Sequence, residues 1–185
     1  MFNSCIEKNN IEFKYLFSTK DRNQIEKYFK MKKKYEYKFD EQEEKEFIDD
    51  VVKTIGTYDI VIHPQTSGYL LNDIAKRIGS KVIEIKKNNK SFIREKLLEQ
   101  NFMKLEKETL LNTIDKMDSD FKINLIKGNQ RKRFINILFK DLDQDIEENK
   151  SILLLDDSIF SGETFLAMCD KIKIKTDKIV LFSKY

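Results

Sequence analysis

The chain has 185 residues, 40% hydrophobic and 36% charged, with 35 basic against 32 acidic side chains and a formal net charge of +3. That length suits a single globular unit with a sizeable core, and a net charge that is a small difference between two large numbers gives no ground for a nucleic-acid partner. The start, MFNSCIEKNN, has no basic segment followed by an apolar one, and no run approaches the ~18 apolar residues that span a bilayer, so a cytoplasmic protein is expected, neither exported nor embedded.

Residues 1–40 mix aromatic and charged side chains. IEFKYLF (11–17) and KYEYKF (34–39) alternate at period two, like short strands on either side of a polar helix over 21–30. This stretch reads as a small appendage, its aromatic stripe (Phe13, Tyr15, Phe17, Tyr35, Tyr37, Phe39) forming either core or a hood over a site. The lysines within 31–34 stand out as a cluster.

A core is expected from 41 to the end. DEQEEKEFIDDVVKTIG is helical, with Phe47, Val51, Val52 and Ile55 on one face and Gly56 as its stop. YDIVIHP (58–64) is an apolar run of strand length, QTSG (65–68) a turn, YLLNDIAKRIG a helix closed by Gly79, and KVIEIKK (81–87) a strand. Strand, turn, helix and strand in that order build a parallel sheet. Residues 91–117 look helical, DFKINLIK (120–127) alternates like a strand, and QRKRFINILFKDL (130–142) reads as a helix. A strand at 151–155, a polar loop, a helix over about 164–173 and a last strand from Asp177 complete an α/β fold with a mostly parallel sheet flanked by helices.

The polar loop sits where open parallel sheets bind ligands, beyond the carboxyl end of a strand and before a helix N-terminus. Four apolar residues, Ile152 to Leu155, run into Asp156 and Asp157, and Ser161, Gly162, Glu163 and Thr164 lead into the helix. Unpaired amides at a helix start favour an anion, and glycine lets the backbone wrap it. Two carboxylates would repel a phosphate, so they point to another part of the same ligand, such as vicinal hydroxyls or a cation. A phosphorylated sugar offers both. The plain alternative is a capped loop and an ordinary helix start.

The stretch ILLLDDSIFSGET resembles, over about thirteen residues, the phosphoribosyl-pyrophosphate (PRPP) motif of the type I phosphoribosyltransferases, with competence-protein-F-like members as a loose fit. The resemblance implies that Asp156 and Asp157 contact the ribose hydroxyls. It implies too that the loop from Ser158, Ile159 and Phe160 through Ser161, Gly162 and Glu163 to Thr164 cradles the 5′-phosphate. A second loop, HPQTSG (63–68), stands where the family holds pyrophosphate, with Thr66, Ser67 and Gly68 offering amides. Mg²⁺ is the implied cofactor, PRPP and a small acceptor the implied ligands, transfer of the phosphoribosyl group to a nitrogenous base the implied reaction, and a homodimer one possible state. A PRPP-sensing regulator without turnover, and a structural or interaction protein on the same fold with the motif idle, are the rival readings.

Some residues depart from the family pattern. Phe160 stands where purine-salvage members commonly carry an acid, which disfavours a 6-oxopurine acceptor. Glu163 would weaken phosphate binding unless its side chain points outward. Lys86, Lys87 and Lys90 read as solvated surface before they read as pyrophosphate ligands, and Arg131, Lys132 and Arg133 as a helix-start surface or a contact to a second subunit. His63, the only histidine, reads as a packed or solvent-facing imidazole before a catalytic one. The acidic run Asp141, Asp143, Asp145, Glu147 and Glu148 lacks the glycine and spacing of a calcium loop. Cys5 and Cys169 are too few and too far apart for a disulfide framework or a thiolate metal site, and Cys169 shares its periodicity with Phe165, Met168 and Ile172, as a core residue would.

Overall fold

The computed structural model describes residues 4–8, 11–33, 36–65, 69–118, 121–143, 146–147, 149–159 and 162–183. Among the described residues six strands, β1 (Ser4–Lys8), β2 (Ile11–Ser18), β3 (Tyr58–Pro64), β4 (Gly79–Ile85), β5 (Ile152–Ile159) and β6 (Asp177–Ser183), form one sheet in the order β1-β2-β6-β5-β3-β4. β2, β6, β5, β3 and β4 run parallel, and β1 lies antiparallel on the edge beside β2. The expected α/β class with a mostly parallel sheet is what the chain adopts. β5 sits between two parallel neighbours and is buried on both faces, which is why Ile152 to Leu155 read as an unbroken apolar run.

Successive side chains of a strand point to opposite faces, and the two faces have separate cores. On one, Leu153 and Leu155 pack with residues of α1 (Arg22–Met31), α2 (Glu41–Ile55) and α3 (Leu71–Ile78), including Met31, Val51 and Ile74. On the other, Ile152 and Leu154 pack with α4 (Lys90–Glu99), α5 (Lys104–Asp115), a 3-10 helix (Gly128–Ile137) and α6 (Glu163–Ile172), through Leu97, Ile114, Phe134 and Phe165. Met168 and Ile172 belong to that core and Cys169 packs against it half-buried, as its periodicity suggested.

α2 begins with a capping box: the Glu43 N–H donates to Asp40 at 2.8 Å, and Glu43 accepts from the Asp40 N–H at 3.1 Å. Gly56 at φ 84° ends it. Asp40→Ala is expected to lower stability by about 1 kcal/mol in urea denaturation, the usual worth of an N-cap. Gly79 does more than close α3, because it is also the first residue of β4, against β3. A Cβ there would lie 2.7 Å from Val61 Cγ2. Gly79→Ala must therefore push strand or side chain aside, and a loss of roughly 1–3 kcal/mol is expected by the same measurement.

Two stretches differ from the sequence reading. The N-terminal segment is joined to the sheet: β2 pairs in parallel with β6, Lys14 opposite Ile179 and Phe17 opposite Phe182, and the Phe13 ring stacks on Phe165 at 5.9 Å. Its second strand is β1, ahead of β2, because a short hairpin pairs 4–8 with 11–15; KYEYKF forms no strand over 36–39, and Lys34 and Tyr35 lie outside the described residues. DFKINLIK is not a strand either. Its described part, from Phe121, buries Phe121 and Ile126 against the sheet face and forms a 3-10 turn at Ile123–Leu125, so its apolar residues serve a face and not a strand pair. The helix expected over 130–142 is the tighter 3-10 helix, and the long helical stretch is split into α4 and α5.

Candidate functional site

β5 continues four residues beyond the expected end at Leu155, since Ser158 and Ile159 still pair with Phe182 and Ser183 of β6. The two acids therefore lie inside the strand and not in a loop. Asp156 is 5% and Asp157 2% exposed. Their side chains diverge. Asp156 lines a small cavity at the start of α6, whereas Asp157 turns toward the end of α1 and pairs with Lys32, the C-cap residue of that helix. Ser158 Oγ also donates to Asp157, at 2.8 Å, and the Asp157 N–H donates to Asp156 Oδ1 at 2.8 Å. Burial, then the negative charge of Asp157, push the Asp156 carboxyl up to about 7, with Lys32 working against them.

The turn into α6 explains its glycine. Gly162 is the N-cap residue and takes φ 86°, ψ −6°, the left-handed conformation that costs other residues about 1–2 kcal/mol. Having no side chain, it leaves the capping of the helix amides to other groups. The cavity in front of this turn measures about 100 Å³ and is lined by Asp156, Ser158, Gly162, Glu163, Thr164 and Arg131 among others. That is room for a group the size of a phosphate. Ile159 also lines it. Phe160 and Ser161 of the same loop lie outside the described residues.

Glu163 does not point outward. It is 6% exposed and faces the cavity, so the outward orientation that would spare an anion is not adopted. Arg131, read from the sequence as surface, is also buried, because the tight 3-10 helix turns it inward under the α6 start. Its Nε donates to the Ile126 carbonyl at 2.9 Å and Nη2 to that of Asn124 at 3.1 Å. No sequence signal marked it: in QRKRF only the 3-10 winding decides which of three neighbouring cations is buried.

The second proposed loop follows β3, which is hydrogen-bonded beside β5 with Ile62 opposite Leu154. β3 and β5 therefore run in the same direction and end on the same side of the sheet. Thr66, Ser67 and Gly68 lie outside the described residues. His63 is buried, with Nδ1 3.3 Å from the Pro64 carbonyl, and burial pushes its pKa down; Nε2 has no hydrogen-bond partner among the described residues. Lys90 is spent elsewhere, donating to the carbonyls of Asp115 and Met117.

The lysine cluster carries information that the sequence reading left unused. Lys32 reaches Asp157, and Lys33 stands 3.9 Å over the ring of Tyr69, the first described residue after the second loop. Tyr69 in turn donates to Glu44 of α2 at 2.8 Å. The end of α1 therefore lies across the mouths of both β3 and β5. The available signal was the run of lysines directly after a helix with an aromatic face.

No family model and no curated protein sequence matches this chain. Among solved structures it is similar to a hypoxanthine phosphoribosyltransferase from Staphylococcus aureus, with 16% sequence identity and a TM-score of 0.37. The alignment covers 76% of this chain, which spans 60% of that structure's length.

Proposed function

We propose that the chain binds PRPP and transfers its phosphoribosyl group to a nitrogenous base or similar small acceptor, releasing pyrophosphate. One observation carries this reading: the described part of the thirteen-residue motif folds as a strand with two buried acids near its end, a left-handed glycine and a helix N-terminus, and Asp156, Gly162 and Thr164 share one cavity. The terminal phosphate would occupy that cavity, received by the amides and positive end of α6. The pentose would lie outside it, at the strand end, with its hydroxyls on the acids.

In this scheme Asp156, close to half-protonated near neutrality, either accepts from or donates to a ribose hydroxyl. Asp157 accepts a hydroxyl only when Lys32 gives way, and the released ammonium is then near the diphosphate arriving over the neighbouring loop. The reaction needs no group on the protein to bond to the sugar. Pyrophosphate leaves from the anomeric carbon as the acceptor nitrogen approaches, through an oxocarbenium-like state, and the protein contributes positioning and charge stabilisation. Mg²⁺, held through the ligand's diphosphate with few protein ligands, would neutralise the leaving group.

The pairing of Asp157 with Lys32 also favours a second reading, a PRPP sensor that holds the ligand without turnover. Pyrophosphate release, measured with PRPP, Mg²⁺ and a panel of bases, separates the two. Base-dependent release supports transfer. Saturable PRPP binding with no release for any base supports the sensor, and neither binding nor release overturns both.

A further inference from the structure

α1 is fixed to the body of the chain up to Met31, which is fully buried, and Lys30, which donates to Glu43 of α2 at 2.7 Å. The next two residues, both lysines, cross the ends of the strands. Asp157 has both carboxylate oxygens engaged from within the chain: Oδ1 accepts from Ser158 Oγ at 2.8 Å, and Oδ2 pairs with the Lys32 ammonium, in a contact whose side chains are 3% and 10% exposed. With so little of the carboxylate open, a ribose hydroxyl reaches Oδ2 only by displacing that ammonium. Lys33 makes the second contact. It stands just past the C-cap of α1 at φ 48°, a left-handed conformation that glycine takes freely there and a residue with a Cβ takes at a cost. The turn so held sets Lys33 Nζ 3.9 Å over the Tyr69 ring, and the Tyr69 hydroxyl is itself fixed by donating to Glu44 of α2 at 2.8 Å. Ending a helix needs no lysine at that position, so a strained lysine seated on an aromatic ring points to a turn that is held closed.

We infer that Lys32 and Lys33 form a two-point latch that keeps the ligand site shut: Lys32 occupies the acid that the ribose needs, Lys33 holds the turn against Tyr69, and the latch opens before a sugar phosphate binds. The inference rests on the reading above, that Asp157 receives a ribose hydroxyl. It adds the regulation of that site, an internal cation that competes with the ligand. The chain divides between closed and open forms, and its apparent affinity is the intrinsic one reduced by the open fraction. Loosening the Lys33 contact raises that fraction.

Lys32→Met strips a buried acid of its counter-ion, so the test loosens the other contact. The probe is PRPP with Mg²⁺, its association and dissociation followed by surface plasmon resonance on the immobilised full chain, for wild type, Lys33→Gly and Tyr69→Leu. Lys33→Gly removes both the strain and the cation; Tyr69→Leu removes the ring from the other side and changes no charge. Each is expected to associate faster than wild type by roughly threefold, the worth of one partly exposed cation–π contact, with dissociation unchanged and affinity raised by the same factor. Loss of an ordinary surface lysine would slow an incoming polyanion, so faster association of Lys33→Gly runs against the electrostatic expectation and marks the latch. Association at or below the wild-type rate in either folded variant would overturn the inference. Should one variant fail to fold, the other decides alone. Failure of folded wild type to bind PRPP would instead sink the underlying reading, and this inference with it, whereas binding by wild type with unchanged rates in the variants removes the latch and leaves that reading standing.

Discussion

Asp157→Asn and Lys32→Met are each expected to destabilise the chain by about 3 kcal/mol, and the double variant to recover most of that loss. The two groups form an ion pair with side chains 3% and 10% exposed, which joins the end of α1 to the centre of the sheet. Removing one partner leaves the other charge buried without its counter-ion, the costly case. Removing both leaves a neutral amide and a thioether of similar bulk, often close to neutral in stability. Urea denaturation of the four proteins measures this. A coupling of about 5 kcal/mol is expected, the two single losses together less the small loss left in the double variant. If the two losses simply add, the pair is not buried as described, and α1 does not close over the acid.

The second large effect depends on pH. Burial and the Asp157 charge hold the Asp156 carboxyl up at about 7 in the fold, well above the ordinary carboxylate range, so near neutrality the folded chain holds a proton that the unfolded chain has released. Stability from this group is fully present below about pH 4 and is lost as pH rises toward 7. Asp156→Asn cannot ionise and has no such loss. Between pH 5 and pH 8 the variant should therefore gain on wild type by roughly 3 kcal/mol, at about 1.4 kcal/mol per unit over two units. Denaturation midpoints at both pH values read the difference, and because the comparison is with wild type, titrating groups that do not interact with Asp156 cancel. Parallel pH profiles would show that Asp156 is ionised throughout, in a wetter site than the one described.

The fold was legible where each strand or helix speaks for itself. Ile152 to Leu155 declare a strand buried on both sides, and the unit from Tyr58 to Ile85 has a strand, a helix and a second strand close together, with its parallel pairing implied by connection length. What the sequence did not reveal depends on partners distant in the chain. The adoption of β2 by β6 joins residues more than 160 positions apart, and the length of β5 beyond Leu155 is set by the reach of β6, so acids that look like loop residues end up inside a strand.

The candidate site divides the same way. Asp156, Gly162 and Thr164 were identifiable because one local motif carries them, and they meet at one cavity. Lys32 and Arg131 were not, because only tertiary packing selects one lysine from Lys32 to Lys34 and one cation from Arg131 to Arg133. The orientation of Glu163 was left open by the sequence for the same reason. First-turn helix positions are commonly solvated, and the sequence offered no warning that the 3-10 helix would cover this one.

The most direct test of the central claim, that the start of α6 and the end of β5 together hold a phosphorylated sugar, is calorimetric titration with PRPP and Mg²⁺ of wild type beside Asp156→Asn/Asp157→Asn. Saturable binding by wild type is predicted, with loss of binding in a double variant that still unfolds cooperatively. Equal affinity in the two proteins, or no heat from a folded wild type, would contradict it.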